Sequence, residues 1–481
     1  MINEEFWEFI PLKKLKLFGT SGIRGMANLE MTPELAKRLG LTFASLLGNE
    51  GRVAVGRDVR LSAESLSSAF ISGLLYGGVN VEDCGTTPTP AVLWALKKRE
   101  LSGAAVVTGS HTPREMIGFL FFMEDTAELF GEQVFQFENI FFNKVKPLVR
   151  NVVGRRFTAD ISDLYLRSVL HNVDFNKINS SNFKAVLDPG NGASASLCTD
   201  VLHAAGVETI VINGEPNGLF PGRDPFPRPE VLGDLSKKVK ESKADIGSAT
   251  DADGDRAIFV DHKGKILWGD ISGCVFVKDV LQKRGKGTII APINSSQLLN
   301  WVCSMYNGKL EFTPIGPSAI VNEMKAQDAI IGVEETGKNI WPESIFYGDW
   351  ILSTLKMLEI MTEKQRSLTE IVKELPKFNM RKKIFHCPDA LKDIVLAQVL
   401  KEWKKRGEDV EIVTLDGVRI NYHDGSWLLF RPSGTEAVFR LYSESRELKK
   451  LKELEKIGSK IVRKALKYAN LKSRNKENNI H

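Results

Sequence analysis

Short apolar runs, polar glycine-rich connections and amphipathic stretches follow one another through most of the chain. Thr32-Pro33-Glu34 predicts a helix start. Threonine suits the N-cap, proline the first turn, and glutamate the positive end of the helix. Gly51 to Val55 reads as a strand, and Ser62 as the cap of a helix reaching Leu75. The same rhythm of strand, polar loop and helix returns from Lys184 to Ile212, and again beyond Asp270. It predicts α/β domains with mixed or parallel sheets. From Ile384 the pattern changes. Ile384-Phe385, Val410 to Val413, Gly417 to Ile420 and Trp427 to Phe430 suggest several strands in succession. Leu448, Leu451, Leu454, Ile457, Ile461 and Leu466 then form one apolar helical stripe.

Phe119 to Phe142 is rich in phenylalanine, with strand and helix spacing both blurred. A core hairpin, an aromatic packing surface or a partner interface would each explain it. Changes of pattern predict five segments: 1–155, 156–257, 258–374, 375–470, and a flexible basic tail over 471–481.

Composition narrows the class. A chain of 481 residues exceeds one hydrophobic core. Its 43% hydrophobic and 26% charged residues suit a water-soluble protein. The cysteines, Cys84, Cys198, Cys274, Cys303 and Cys387, are too far apart for a zinc motif or a disulfide framework. No apolar leader or membrane-length span is visible, so a cytoplasmic protein without a membrane partner is expected. A formal charge of +5 is small for this length and gives no reason to expect nucleic acid.

The candidate chemistry lies in the connections. Ser248 to Arg256 places Asp251, Asp253 and Asp255 in a tight turn between two apolar runs. Alternate spacing in a bent loop can converge three carboxylates on one hard cation such as Mg²⁺. An EF-hand loop would need glycine and glutamate where Arg256 and His262 stand. Phe18 to Gly25 offers three glycines, two hydroxyls and Arg24. Thr108-Gly109-Ser110-His111-Thr112-Pro113 follows an apolar run, the usual place for an α/β active site. A hydrolase elbow is excluded, because Thr112 stands where glycine would be needed. Val333 to Lys338 pairs carboxylates with a hydroxyl and a lysine, which suits a polyhydroxylated phosphate or a surface turn with local ion pairs. Arg431 to Glu436, with Arg440, suits a phosphate nest and lacks the lysine of a Walker loop.

Five of these segments, GTSGIRG, TGSHTP, DADGDR, VEETGK and RPSGTE, stand in the order found in the α-D-phosphohexomutases. VGRDVRLS, TTPTP, DPGNGA and PNGLFPGRDP support the likeness. The chain from Phe18 to Glu444 thus resembles the phosphoglucomutase/phosphomannomutase/phosphoglucosamine mutase family. That resemblance implies three related mixed-sheet α/β domains and a smaller C-terminal α+β domain around a central cleft. It implies interconversion of hexose 1-phosphate and hexose 6-phosphate through phospho-Ser110 and a hexose 1,6-bisphosphate. Mg²⁺ would be held by Asp251, Asp253, Asp255 and a phospho-Ser110 oxygen. Glu334, Thr336 and Lys338 would face sugar hydroxyls. Arg431, Ser433, Gly434, Thr435 and Arg440 would grip the substrate phosphate. Arg24 and Arg256 would supply charge at the reacting group, and His111 would position it or carry its proton. Hexose phosphates are the expected partners, bound by a monomer or homo-oligomer.

The chain departs from the family pattern in places. Met116 to Leu120 reads Met-Ile-Gly-Phe-Leu, where an asparagine-glycine pair and a later lysine are usual. Ile117 and Leu120 remove both polar functions. Lys338 replaces a histidine, and Trp350 a glycine. These departures keep open a phosphoglucosamine mutase, and a weakly active or non-catalytic sugar-phosphate-binding paralogue, beside a phosphomannomutase/phosphoglucomutase.

Overall fold

Val53, Ala54 and Val55 are all buried, and so are Ala104 to Val107 and Ala185 to Leu187. Continuous apolar runs of this kind suit strands covered by helices on both faces. The computed structural model describes residues 17–143, 153–434 and 436–478, and in it these runs form the centres of the first two of three mixed sheets.

The first sheet contains β1 (Ile23–Met26), β2 (Arg52–Arg57), β3 (Asn80–Thr86), β4 (Gly103–Val107), β5 (Met116–Met123) and β6 (Arg156–Thr158). Their order is β1-β5-β4-β2-β3-β6, with β5 antiparallel to both its neighbours. The second holds β7 (Lys184–Asp188), β8 (Glu208–Val211), β9 (Ile246–Ala249), β10 (Ile258–Asp261) and β11 (Ile266–Leu267), in the order β11-β10-β9-β7-β8. The third holds β12 (Gly287–Pro292), β13 (Gly308–Thr313), β14 (Ile331–Val333) and β15 (Asn339–Ile340), in the order β13-β12-β14-β15. The last sheet is antiparallel: β16 (Asn379–His386), β17 (Glu411–Val413), β18 (Val418–Asn421), β19 (Trp427–Pro432) and β20 (Val438–Ser445), in the order β16-β20-β19-β18-β17.

One apolar cluster passes from Val92 and Trp94 through Leu187 and Val201 to Leu352 and Leu355, so the first three domains share a core. Asp349 ties the same three together. It accepts from Trp94 Nε1 at 3.3 Å and Tyr165 Oη at 2.8 Å, and caps helix Trp350–Lys364 through Leu352 N at 3.0 Å. Trp350 is buried and donates to Ser248 Oγ at 2.7 Å, which seats that helix against the second sheet. The fourth domain has its own core around Val395, Trp403, Phe430, Leu441 and Val462.

Several expectations need correction. The third unit does not begin at Ile258. Residues Ile258 to Asp261 pair with β9 in an antiparallel hairpin, because the aspartate turn folds the chain straight back. Arg156 to Thr158 pairs with β3 and so completes the first sheet, beyond the expected break at 155. Thr32 Oγ1 accepts from Leu35 N at 3.3 Å, as its type suggests, but Ser62 makes no such side-chain bond. The phenylalanine-rich segment is one strand and one helix, and Phe119, Phe121, Phe122, Phe137 and Phe141 are buried. It fills the core instead of offering a partner surface, and leaves Phe130 and Phe142 exposed. The final helix, Leu448–Asn478, runs past the expected start of a tail at 471. Beyond Gly458, lysine, arginine and leucine are frequent, all good helix formers, and neither a further glycine nor a proline interrupts them before Asn478. Among the described residues, no helix is long and apolar enough to cross a membrane.

Candidate active site

In each of the first three sheets a parallel strand is followed by an antiparallel neighbour, and the connection carries the polar motif. Residues 108–115 join β4 to β5, residues 250–257 join β9 to β10, and residues 334–338 join β14 to β15. Residues 433–437 join β19 to β20. Residues of all four loops line or underlie one cleft of about 1990 Å³.

The serine loop is braced from within. Arg60 is buried, pairs with Asp58 at 3.1 Å, and donates to the carbonyls of Ser110 at 2.7 Å and Thr112 at 2.9 Å. Asp58 also accepts from Thr108 Oγ1 at 2.8 Å and Gly109 N at 3.1 Å. A Cβ on Gly109 would lie 2.2 Å from Arg60 Nε, so only glycine lets the loop close on the guanidinium. Ser110 follows with φ 47°, a left-handed conformation that costs a serine about 1 kcal/mol. Its Oγ donates to Asp251 Oδ2 at 2.8 Å and lies 3.3 Å from His111 Nδ1. That Nδ1 is also 2.9 Å from Arg256 Nη2. Burial, then the charges of Arg256, Arg24, Lys338 and Arg60, hold the His111 pKa well below the usual imidazole value. His111 is therefore neutral near pH 7 and accepts from the guanidinium.

The aspartate loop has a matching brace. Arg223 pairs with Asp188 at 2.7 Å and donates to the carbonyls of Asp188 at 3.0 Å and Thr250 at 2.6 Å. Thr89, from the first domain, donates to Asp253 Oδ2 at 3.0 Å. Asp251, Asp253 and Asp255 are fully buried, and one oxygen of each lies within 4.8 Å of the others. Oδ1 of each makes no hydrogen bond. Burial and the neighbouring Asp255 charge push the Asp251 and Asp253 pKa values up. Burial would raise Asp255 as well, but Lys338 and then Arg256 outweigh it and hold that carboxyl low. Three converging carboxylates, each with an orphaned oxygen, fit a hard divalent cation, which would relieve this crowding. Arg256 Nε stands 3.4 Å from Asp251 and 3.7 Å from Asp255, so the carboxylates do offset its charge.

The loop between β14 and β15, expected to face the sugar, brings Glu334, Thr336 and Lys338 to the cleft. Glu334 Oε2 and Thr336 Oγ1 are buried without a partner, as atoms awaiting a ligand would be. Lys338 differs from the expectation of a sugar contact. Its Nζ turns to Asp255 Oδ2 at 2.8 Å, drawn by the excess of negative charge there. Leu120, where the family lysine was expected, is a buried core residue on β5. Glu128, which accepts from Ser21 Oγ at 3.1 Å, also lies close by. Burial pushes its carboxyl up to about 7.

In the fourth domain Arg431 and Arg440 stand directly opposite on β19 and β20. Like charges so placed repel, and an anion between them would reverse the cost. Arg431 leans on Asp416 at 2.9 Å, and Arg440 pairs with Glu436 while its Nε lacks a partner. Lys392 holds the loop from behind through the carbonyls of Ser433 and Glu436. Ser433 and Gly434 line the cleft, and a Cβ on Gly434 would lie 3.4 Å from Thr20 of the N-terminal glycine-rich loop. Thr435 lies outside the described residues. Arg24 reaches the same cleft from β1.

The cleft thus gathers the predicted groups from all four domains, with Ser110 and the three aspartates beneath Arg256 and His111. Sequence reasoning missed the two internal braces, Asp58–Arg60 and Asp188–Arg223, and Thr89. Their signal was charged residues inside otherwise supporting motifs. It also missed Lys382, which lines the cleft on β16 opposite Tyr442 and appeared in sequence as one cation of a basic run.

Four profiles match the chain in order. They are Phosphoglucomutase/phosphomannomutase, alpha/beta/alpha domain I over residues 15–147, domain II over 163–264, domain III over 268–378, and the C-terminal domain over 382–457. A phosphoglucomutase/phosphomannomutase of Thermococcus kodakarensis is 35% identical over 94% of this chain and 99% of its own. A phosphoglucosamine/phosphogalactosamine mutase of Sulfurisphaera tokodaii is 33% identical over 90% and 96%. A phosphopentomutase of Thermococcus kodakarensis is 33% identical over 95% and 100%. A solved phosphoglucomutase/phosphomannomutase family protein from Burkholderia thailandensis superposes with a TM-score of 0.83, at 26% identity, over 94% of this chain and 97% of that one. With four domain profiles in register and relatives aligned nearly end to end, the chain belongs to the phosphoglucomutase/phosphomannomutase family, the α-D-phosphohexomutases.

Proposed function

We propose that the protein interconverts the 1- and 6-phosphates of a hexose, mannose or glucose, through phospho-Ser110 and a hexose 1,6-bisphosphate. Isomerase chemistry on sugar phosphates is the family's activity. The observation that carries the mechanism is Ser110 Oγ, held 2.8 Å from Asp251 on a strained, braced loop under the cleft. In the first transfer the bond from the Ser110 oxygen to phosphorus breaks, and one from a sugar hydroxyl oxygen forms. His111, neutral and beside Ser110, takes the hydroxyl proton and returns it to the Ser110 oxygen that leaves. After the bisphosphate turns over, its other phosphoryl group returns to Ser110 by the reverse steps. Asp251, Asp253, Asp255 and a phosphoserine oxygen would hold Mg²⁺, which when bound draws charge from the transferring phosphoryl group. Arg24 and Arg256 add fixed positive charge. Arg431, Ser433, Gly434, Thr435 and Arg440 hold the distal phosphate, while Glu334 and Thr336 face the sugar.

A hexosamine phosphate is the second reading. The unpartnered Glu334 Oε2 suits an ammonium as well as a hydroxyl. Intact-mass measurement before and after sugar phosphate is added tests the covalent step. A coupled assay over glucose, mannose, glucosamine and pentose phosphates tests the substrate. Loss of phosphate from Ser110 on addition of mannose or glucose phosphate is expected. Turnover of glucosamine phosphate alone would select the second reading, and tight binding without phosphate exchange would overturn both.

A further inference from the structure

Lys338 lines the cleft, yet its ammonium is held within the protein. It is 3% exposed, and its Nζ lies 2.8 Å from Asp255 Oδ2 and 3.1 Å from Tyr347 Oη, with the Tyr347 ring centroid 4.2 Å away. Its carbonyl accepts from Glu334 N at 2.9 Å, which closes the sugar loop as a tight turn. The ammonium therefore has a fixed place. It belongs to the third domain, whereas the carboxylate it meets belongs to the second.

The formal charges around the aspartates are carboxylates at Asp251, Asp253 and Asp255 against the cations Arg256 and Lys338. Arg256 sits on the serine-loop side, against Asp251 and His111. Lys338 approaches from the sugar-loop side and takes Oδ2 of Asp255, while Oδ1 of the same group remains unbonded. A divalent cation drawn to these aspartates would share the Asp255 carboxylate with the ammonium, and like charges so placed repel strongly in a buried site.

We propose that Lys338 is a resident counter-ion of the aspartate loop, a positioning residue that lowers its affinity for a divalent cation and links cation occupancy to the sugar loop. The proposal rests on the metal reading of that loop. The linkage follows because coupling between two bound groups is reciprocal. If the ammonium weakens the cation, the cation weakens the hold of Asp255 on Lys338 by the same factor. Glu334 and Thr336 share the short loop with Lys338, so the groups facing the sugar feel that change. Sugar recognition and metal occupancy meet at one ion pair.

The test is Mn²⁺ titration of the full-length, dephosphorylated protein followed by electron paramagnetic resonance, with wild type, Lys338→Met and Lys338→Arg compared. Lys338→Met should bind Mn²⁺ about tenfold tighter or more, and Lys338→Arg should stay near wild type. Equal or weaker binding by Lys338→Met would overturn the proposal while leaving the metal reading intact. No saturable binding by any of the three would remove both. Amide hydrogen exchange of wild type keeps the idea testable even if the methionine variant does not fold. Mg²⁺ should speed exchange over residues 334–338, and slower or unchanged exchange there would refute the linkage.

Discussion

Ser110 Oγ donates to Asp251 Oδ2 at 2.8 Å, across the junction of the first two domains. The bond joins a serine on one β-hairpin connection to a carboxylate on the equivalent connection of the next domain.

The left-handed backbone at Ser110 gives a signed prediction. Both Ser110→Ala and Ser110→Gly should lose the phosphoserine and all mutase turnover. Glycine tolerates φ 47° where alanine does not, so Ser110→Gly should be the more stable of the two by about 1 kcal/mol. Urea denaturation of both variants measures the difference. An alanine variant as stable as the glycine one would mean that the loop relaxes.

Arg60 should matter as much as any group that touches substrate. Arg60→Met leaves the Asp58 carboxylate buried without its cation and frees the carbonyls of Ser110 and Thr112. A loss of about 3–5 kcal/mol in stability is expected, since breaking one side of a buried pair strands the other. Turnover should fall at least about a hundredfold, as displaced reacting groups do. Denaturation and steady-state kinetics on the same preparation check both.

Asp349 predicts a pH dependence of stability. Burial raises its pKa from 3.8 to about 6, although Leu352, Tyr165 and Trp94 donate to it. A raised folded pKa gives stability that is fully present below pH 3.8 and lost as pH rises through about 6. The shift corresponds to about 3 kcal/mol as an order of magnitude. Asp349→Asn should flatten the thermal-melting profile between those pH values. A wild-type slope that survives the substitution would assign the effect to other groups.

Arg440→Gln should act on binding more than on folding. Arg440 is only partly buried, near the start of β20, and already has Glu436 beside it, so stability should change by less than about 1 kcal/mol. The distal phosphate would lose a charge-assisted partner. KM should rise about tenfold or more with kcat less affected, and the coupled assay separates the two. A large fall in kcat at unchanged KM would place Arg440 at the reacting phosphate instead.

The sequence by itself determined the α/β rhythm, the strand-rich fourth domain and the loops that carry chemistry. Local periodicity and glycine-rich punctuation are written in consecutive residues, and five polar motifs stand out against apolar strands. Even the cap at Thr32 was legible, because it depends on a neighbour three residues away. Tertiary structure decided the rest. Residues Ile258 to Asp261 joined the second sheet because strand pairing, not pattern, assigns a strand to its domain. Phe119, Phe121, Phe137 and Phe141 became core because a strand and a helix whose spacing was blurred in sequence meet in space. Asp58–Arg60 and Asp188–Arg223 became braces only once Ser110 and Thr250 were folded against them. Lys338 was legible as a cation but not as a counter-ion. Its partner Asp255 lies 83 positions earlier in the chain, and only packing of the third domain on the second brings ammonium and carboxylate to 2.8 Å.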